Sequence, residues 1–555
     1  MIGVISKQWQ EAIIREFFQL FKVPWEFYNK EKSYDVIIIT DDSSVVPTAR
    51  LTIIYNSKRT LFDSENDVQF SQHKGNALLD NGHYQFPVYM NLLKFKSLGK
   101  PVIKVKNNND DIAGLEFVYA DKKIIRIGYD LFDEIEFILT KGQKIEYAHI
   151  PTVDIHIALL RSWILELGLS LLEIPPIPYG YNFITCLTHD VDFISIRSHK
   201  LDHSVLGFIL RIFYPYSFRD FRSKISWNKL FKNLKAIILL PGVYIGIVRD
   251  FWFQLNRYME IEEGLCSTFY FLPFKNYPGD KDINNSLPSE YRSARYDVNQ
   301  YKSSLLTLIK KGYEVGLHGI DAWHSSSKGL KELNVIRKIT GEDKLGVRMH
   351  WLYFSKDSAK ALEDAGFIYD STVGYNETPG YKAGTSQVYR LSESSNLLEL
   401  PLILMDTSLF YSDRMSLSES DALQLCNKMI SDVETFGGVF TLNWHQRSLA
   451  PERNWDEFYI ELLRILKEKK VWFATASQVV NWFSKRRSIN FNNIKCSEDK
   501  IHLKLDSNND DISVKYSIRF YYPQTGIKKT GDKSNYVKSF VDIQWSGVPE
   551  VEFDV

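Results

Sequence analysis

Two aspartates one residue apart, in Thr188-His189-Asp190-Val191-Asp192, close an apolar run that begins at Phe183. At a strand terminus the two side chains are free to diverge, one holding a cation while the other takes a proton from water. One carboxylate fills both roles poorly. A pair in this spacing is also an ordinary turn or helix cap, so it needs partners elsewhere in the chain before it reads as chemistry.

Such partners follow in order. Gly316-Leu317-His318-Gly319-Ile320-Asp321-Ala322-Trp323-His324 puts two imidazoles and an acid on one loop after an apolar run, the ligand types of zinc and other first-row divalent ions. Arg348, in Gly346-Val347-Arg348-Met349-His350-Trp351, sits in apolar surroundings where a guanidinium demands a carboxylate, and Asp190 is the natural one. A purely structural ion pair is the alternative there. Tyr369-Asp370-Ser371-Thr372 and Asn443-Trp444-His445-Gln446 add an acid and a histidine; a histidine beside an aspartate can protonate a leaving amine. Trp323, Trp351 and Trp444 stand beside these residues as aromatic faces, with packing expected for at least one.

These residues require elements that bring them together. Short apolar runs at Phe183–Thr188, Ser267–Leu272, Tyr313–Leu317, Leu345–Arg348, Phe367–Tyr369, Leu397–Leu402, Gly438–Asn443 and Val471–Ala474 alternate with helical stretches. That alternation predicts an α/β fold, a deformed (β/α) barrel of seven to eight parallel strands, with polar side chains at the C-terminal strand ends doing the chemistry. His189-Asp190, His318, Arg348, Asp370 and His445 each close one of the runs.

A chain of 555 residues exceeds one ordinary core. Residues 1–175 read as an N-terminal α/β domain with helical spacing over 7–22, strand-like runs at Val36–Ile39 and Leu51–Tyr55, and an amphipathic helix over Asp154–Leu167. Pro175-Pro176-Ile177-Pro178 ends it. The barrel is expected over 180–487 and a small β-rich module over 488–555. An insertion at about 198–262 is aromatic and basic, with Phe208, Phe213, Tyr214, Tyr216, Phe218 and Phe221 beside Arg211, Arg219, Arg222, Lys224, Lys229, Lys232 and Lys235. It reads first as helices packed on the barrel, and otherwise as an interfacial element meeting anionic lipid or a lipid-linked substrate.

Lys plus Arg and Asp plus Glu both number 68, so no global charge draws the chain to nucleic acid. The four cysteines are far apart and form neither a zinc ribbon nor a disulfide framework. Met1–Tyr28 lacks the apolar stretch of a secretory signal, and no run reaches the roughly 20 apolar residues of a bilayer span, so a cytoplasmic location, with membrane association through 198–262 left open, is the expectation.

Taken in order, the set over about 180–485 resembles carbohydrate esterase family 4, the polysaccharide deacetylases of the NodB-homology type, in the branch with an aspartate-valine-aspartate first motif. The resemblance implies Asp190 as general base, Asp192 and His318 as metal ligands, Arg348 steadying the base, and His445 as the acid oriented by Asp370. The family's two histidines stand four apart, whereas position 322 is Ala, so the third ligand falls to His324 in preference to Asp321. The prolines usual after the arginine are replaced by Met349 and His350. The resemblance implies a divalent ion, zinc foremost, with cobalt, nickel or manganese as alternatives, and hydrolysis of an N-acetyl group from a saccharide, with Trp323, Trp351 and Trp444 as candidates to stack on its sugar faces. A deformylase acting on a lipid-linked sugar and a non-catalytic carbohydrate-binding protein remain alternative expectations.

Overall fold

A computed structural model describes the chain apart from residues 43–45, 97–98, 107, 201, 214–226, 281–291, 392–394, 497–499, 507–514, 523–539, 546, 548–549 and 555. The chain forms two compact units, one of residues 1–179, 383–385 and 484–555, the other of 180–382 and 386–483.

In the first unit, Ile2–Ile5 pairs in parallel with Trp25–Phe27 and Val36–Ile39, which continue through Leu51–Tyr55 into antiparallel strands from Lys122–Ile127 onward. Helices Glu11–Leu20 and Thr152–Glu166 lie where periodicity predicts them. The C-terminal strands differ from the expected separate module. Tyr516–Tyr521 pairs with Leu171–Glu173, so the last residues complete a small sheet with the N-terminal part. A short strand such as 171–173 is marginal without added partners.

The second unit carries the candidate chemistry. Its sheet runs, in spatial order, Tyr389–Arg390, Leu398–Glu399, Tyr369–Asp370, Val347–Met349, Glu314–Gly319, Ser267–Phe271, Phe183–Val191, Val439–Asn443, Leu404–Met405, with Val471–Phe473 also on Phe183–Val191. All these pairings are parallel except that of Tyr389–Arg390. Leu398–Glu399 and Leu404–Met405 lie toward opposite edges of this path and are joined by the four residues 400–403: Leu400 and Leu402 donate to the carbonyls of Asp370 and Val373, and Ile403 to that of Thr441. Phe183–Val191 is buried along its whole length, as a central strand covered on both faces must be.

The helices begin and end on local signals. Ser325 caps Ser326–Thr340 by accepting from the Lys328 amide, and Gly341 ends it in the left-handed region at φ 79°. Ser418 caps Glu419–Phe436 in the same way. Within the insertion, His203–Phe213, Trp227–Tyr244 and Leu255–Ile261 are helical. Tyr214, Tyr216, Phe218, Arg219, Phe221, Arg222 and Lys224 lie outside the described residues, as do the side chains of Phe213 and Lys229. Among the described residues no helix is long and apolar enough to cross a membrane.

Beneath the C-terminal strand ends, Tyr369 lies across Gly346, where an added Cβ would meet the ring at 1.9 Å. The Tyr369 hydroxyl is 3.0 Å from that of Tyr270 and donates to Glu314 at 2.8 Å, and the Tyr270 ring lies under Arg348. Gly346→Ala therefore pushes the ring out of this stack. It is expected to destabilise the protein by about 1–3 kcal/mol, read as a lower midpoint in denaturant unfolding.

Candidate active site

Asp190, Asp192, His318, His350, Trp351 and His445 line a cleft of about 210 Å³. Each arrives at the C-terminal end of a strand, where the parallel sheet directs its exposed carbonyl ends and its loops. Asp190 lies within Phe183–Val191 and Asp192 just past it; His318 is in Glu314–Gly319, opposite Arg348 in register; His350 follows Val347–Met349; His445 follows Val439–Asn443.

Three of these side chains converge. His318 Nε2 is 3.2 Å from Asp192 Oδ1, His350 Nδ1 is 3.3 Å from the same oxygen, and the two nitrogens are 3.0 Å apart. The His318 Nδ1 faces the Arg348 carbonyl at 2.9 Å, an acceptor, so Nδ1 carries the proton and Nε2 presents its lone pair to the space it shares with Asp192 and His350. Among the described residues, Asp192 Oδ1 is buried with no hydrogen-bond donor. Bonds of about 2.0–2.2 Å to a first-row divalent ion imply ligand-to-ligand edges of about 2.9–3.5 Å in octahedral or tetrahedral arrangements. The three atoms, one carboxylate and two imidazoles, therefore fit such an ion. Burial pushes the His350 imidazole well below its ordinary pKa; burial also opposes the Asp192 charge, but the three surrounding histidines, His350, His318 and His445, when charged, hold its carboxyl far below the usual range. Both are the protonation states a ligand needs.

Asp190 is held on the other side of the cluster. Arg348 donates to Asp190 Oδ1 at 3.1 Å and to Thr188 Oγ1 at 2.6 Å, and Asn443 Nδ2 donates to Asp190 Oδ2 at 2.7 Å. The expected Arg348–Asp190 pair is thus present, fully buried on the arginine side. A buried guanidinium is tolerable only with such saturation, and Ser371 takes its remaining donors through its carbonyl and hydroxyl. His189, by contrast, is a core residue: its Nδ1 faces the Trp444 carbonyl and its Nε2 lies 3.0 Å from Glu262.

Three expectations are corrected. His324 does not join Asp192 and His318; its Nε2 lies 3.1 Å from Asp280, beside Asp321, where Lys328 already supplies a cation at 2.6 and 3.1 Å from the two acids. Asp321 is turned the same way, bonded by the Tyr277 hydroxyl. His350 occupies the third corner instead, and its signal was its place directly after an apolar strand. Second, Asp370 does not orient His445. Asp370 bonds the Thr372 hydroxyl and stands in register with Glu399, while His445 Nδ1 lies 2.6 Å from Asp406, which also accepts the His445 amide at 2.7 Å. Asp406 follows the strand Leu404–Met405, so the same rule of a polar residue closing an apolar run would have found it. Third, Trp444 is wholly buried and stacked on Phe458 and Tyr459, and Trp323 packs near Tyr353 outside the cleft lining; of the three tryptophans only Trp351 lines the cleft.

Trp351 and Leu352 have φ of 64° and 56°, a left-handed turn that side chains other than glycine rarely adopt. It reverses the chain immediately after His350, and such strain persists only where surrounding contacts impose it. His445, though burial disfavours its charge, is raised to about 9 by Asp406, with Asp192 and Asp190 adding to the effect. A larger cavity of about 870 Å³ in the first unit contains no histidine among its lining residues and lacks this set.

No family model matches the chain. Over 104 residues, 17% of this chain, it is 27% identical to a peptidoglycan deacetylase of Helicobacter pylori, and the match spans 36% of that protein's length. Solved structures similar to it include a putative polysaccharide deacetylase from Mycobacterium smegmatis (16% identity, 56% of this chain and 94% of that one, TM-score 0.34). Others are Agd3, a carbohydrate deacetylase (10% identity, 100% and 98%, TM-score 0.38), and a CE4 family pseudoenzyme from Bacillus anthracis (11% identity, 55% and 70%, TM-score 0.24).

The geometry separates His350 from His324 experimentally. His350→Ala is expected to lower the divalent metal retained by the purified protein at least about tenfold, measured by elemental analysis, whereas His324→Ala leaves it at the wild-type level.

Proposed function

We propose that the protein is a metal-dependent hydrolase that removes N-acetyl groups from a saccharide, working from a deformed barrel of the NodB type. One observation carries the reading: a carboxylate–imidazole–imidazole cluster stands between a positioned carboxylate, Asp190, and a histidine kept protonated, His445, in a single cleft. The aspartate-valine-aspartate motif and the short likeness to a peptidoglycan deacetylase support the same reading, and make N-acetylated glycan strands the first substrate to try.

A divalent ion, zinc foremost, held by Asp192, His318 and His350, would supply Lewis acidity and lower the pKa of a coordinated water toward about 7. The chain's own residues do the rest. Asp190, its oxygens anchored by Arg348 and Asn443, takes the proton of the attacking water. Arg348 acts as a positioning residue. His445, charged through Asp406, gives a proton to the departing amine nitrogen. Trp351, on the cleft wall, offers a face for the sugar ring.

Asp190→Asn is expected to cut acetate release from N-acetylated glycan oligomers by about 10²–10⁴-fold in kcat with metal content unchanged; activity at the wild-type level would sink the assignment. The pH dependence tests the acid. A group with a raised pKa is protonated below that value, so activity that needs protonated His445 falls as pH rises through about 9. Asp406→Asn removes its charged partner, and the alkaline limb of kcat against pH is expected to move to lower pH. Asp370→Asn, which does not touch His445, leaves that limb in place.

A further inference from the structure

The helices His203–Phe213 and Trp227–Tyr244 are apolar on two sides. On one side Val205, Phe208, Ile212, Ala236 and Val243 pack with Trp252 and Ala450 into a small core. On the other, Leu206 and Leu210 lie a turn apart, and Phe231, Leu234 and Ile238 follow at helical spacing, all exposed. Ile245 and Ile247, just past the helix end, are exposed as well. Phe231, Ile238, Ile245 and Ile247 keep 69%, 75%, 70% and 81% of their surface open. Single exposed apolar residues are normal, but of the nineteen large ones exposed among the described residues, seven fall within 206–247. A helix apolar on both sides has one partner in the protein and needs a second outside it.

Charge identifies the second partner. Between His203 and Arg249 four arginines and four lysines stand against one acid, Asp220. Lys235 and Arg249 are exposed in the same stretch as the apolar row. The flanking acids are used locally, Asp202 on His199 and Asp250 on Ser195. A second copy of this chain would set positive against positive, whereas anionic lipid headgroups complement the charge and acyl chains take the apolar row.

We propose that the helices His203–Phe213 and Trp227–Tyr244, with the residues that follow to Arg249, dock the protein on an anionic lipid bilayer, the helices lying in the headgroup plane. Docking would carry the cleft with it, because the insertion is bolted to the chain that follows His445. Asn454 donates to Asn233 at 2.8 Å, Trp252 donates to Glu452 at 3.0 Å under the Arg447 guanidinium, and Tyr258 donates to the His445 carbonyl at 2.8 Å. The inference does not depend on the reaction assigned to the cleft.

The test is flotation of the full chain with vesicles of equimolar phosphatidylcholine and phosphatidylglycerol, and with phosphatidylcholine alone. Wild type is expected to float with the anionic vesicles and not with the neutral ones. Ile238→Glu/Ile245→Glu/Ile247→Glu and, separately, Lys235→Glu/Arg249→Glu are expected to lower the partition coefficient about tenfold or more at an unchanged melting temperature. The second pair lies at exposed positions, so it keeps the test decisive if the first set fails to fold. The proposal is overturned if wild type stays with the unfloated protein, if the charge-reversed pair floats as well as wild type, or if wild type is a dimer in sedimentation velocity that the isoleucine substitutions make monomeric.

Discussion

The Arg348 guanidinium is the interaction on which the site rests. It is completely buried, it reaches Thr188 and Asp190 of one strand and Ser371 beyond another, and its plane lies over Tyr270 of a third, while the backbone carbonyl of the same residue faces the His318 ring. Three neighbouring strands are thereby held to one side chain and a fourth to its backbone. A buried cation cannot be left partly paired, since each lost partner leaves an uncompensated charge in a low-dielectric interior. The geometry that aims Asp190 at the cleft is thus a consequence of satisfying this side chain, and the tautomer of His318 is a consequence of the strand register that sets its ring against the backbone carbonyl of Arg348.

That constraint also explains what was readable in the sequence. The strand runs were legible because buried parallel strands are nearly continuous apolar segments, and Phe183–Val191, Ser267–Phe271 and Val439–Asn443 lie close to where those runs end. Asp190, Asp192, His318, Arg348 and His445 were legible because each closes such a run, and the structure brings all five to one place. His350 and Asp406 close runs too, but their signal was obscured, for different physical reasons. His350 stands two residues past Arg348, which already closes that run, and the left-handed turn that follows it at Trp351 and Leu352 is one that residue type does not announce. Asp406 follows a strand of two residues, Leu404–Met405, split from Leu398–Glu399 by an irregular segment that the apolar pattern merges into one. The C-terminal strands were recognisable as strands, but their pairing with Leu171–Glu173 is a long-range choice that no local pattern encodes.

His324 illustrates the opposite error. Two histidines and an acid on one loop look like a ligand set, yet the loop turns so that His324, Asp321 and Asp280 gather around Lys328. An ammonium among carboxylates satisfies the same charge that a metal would. Glu332 reinforces the turn by accepting from the amides of Ile320 and Asp321, which points the loop away from Asp192.

Asp370, displaced from the acid's partner role, has a different electrostatic consequence. It faces Glu399 across paired strands, both wholly buried, and burial raises both carboxyls, Asp370 to about 7 and Glu399 well above its ordinary value, with Asp370 further opposing the ionisation of Glu399. Two carboxylates so placed cannot both be charged, and the pair retains a proton. Arg348 lies close enough to be felt by both. Had both acids ionised, their combined charge would have competed with Asp190 for the one guanidinium. By retaining a proton, the pair leaves Arg348 committed to Asp190, so the base in the cleft is held by an arginine whose other acidic neighbours have been largely neutralised by their own burial.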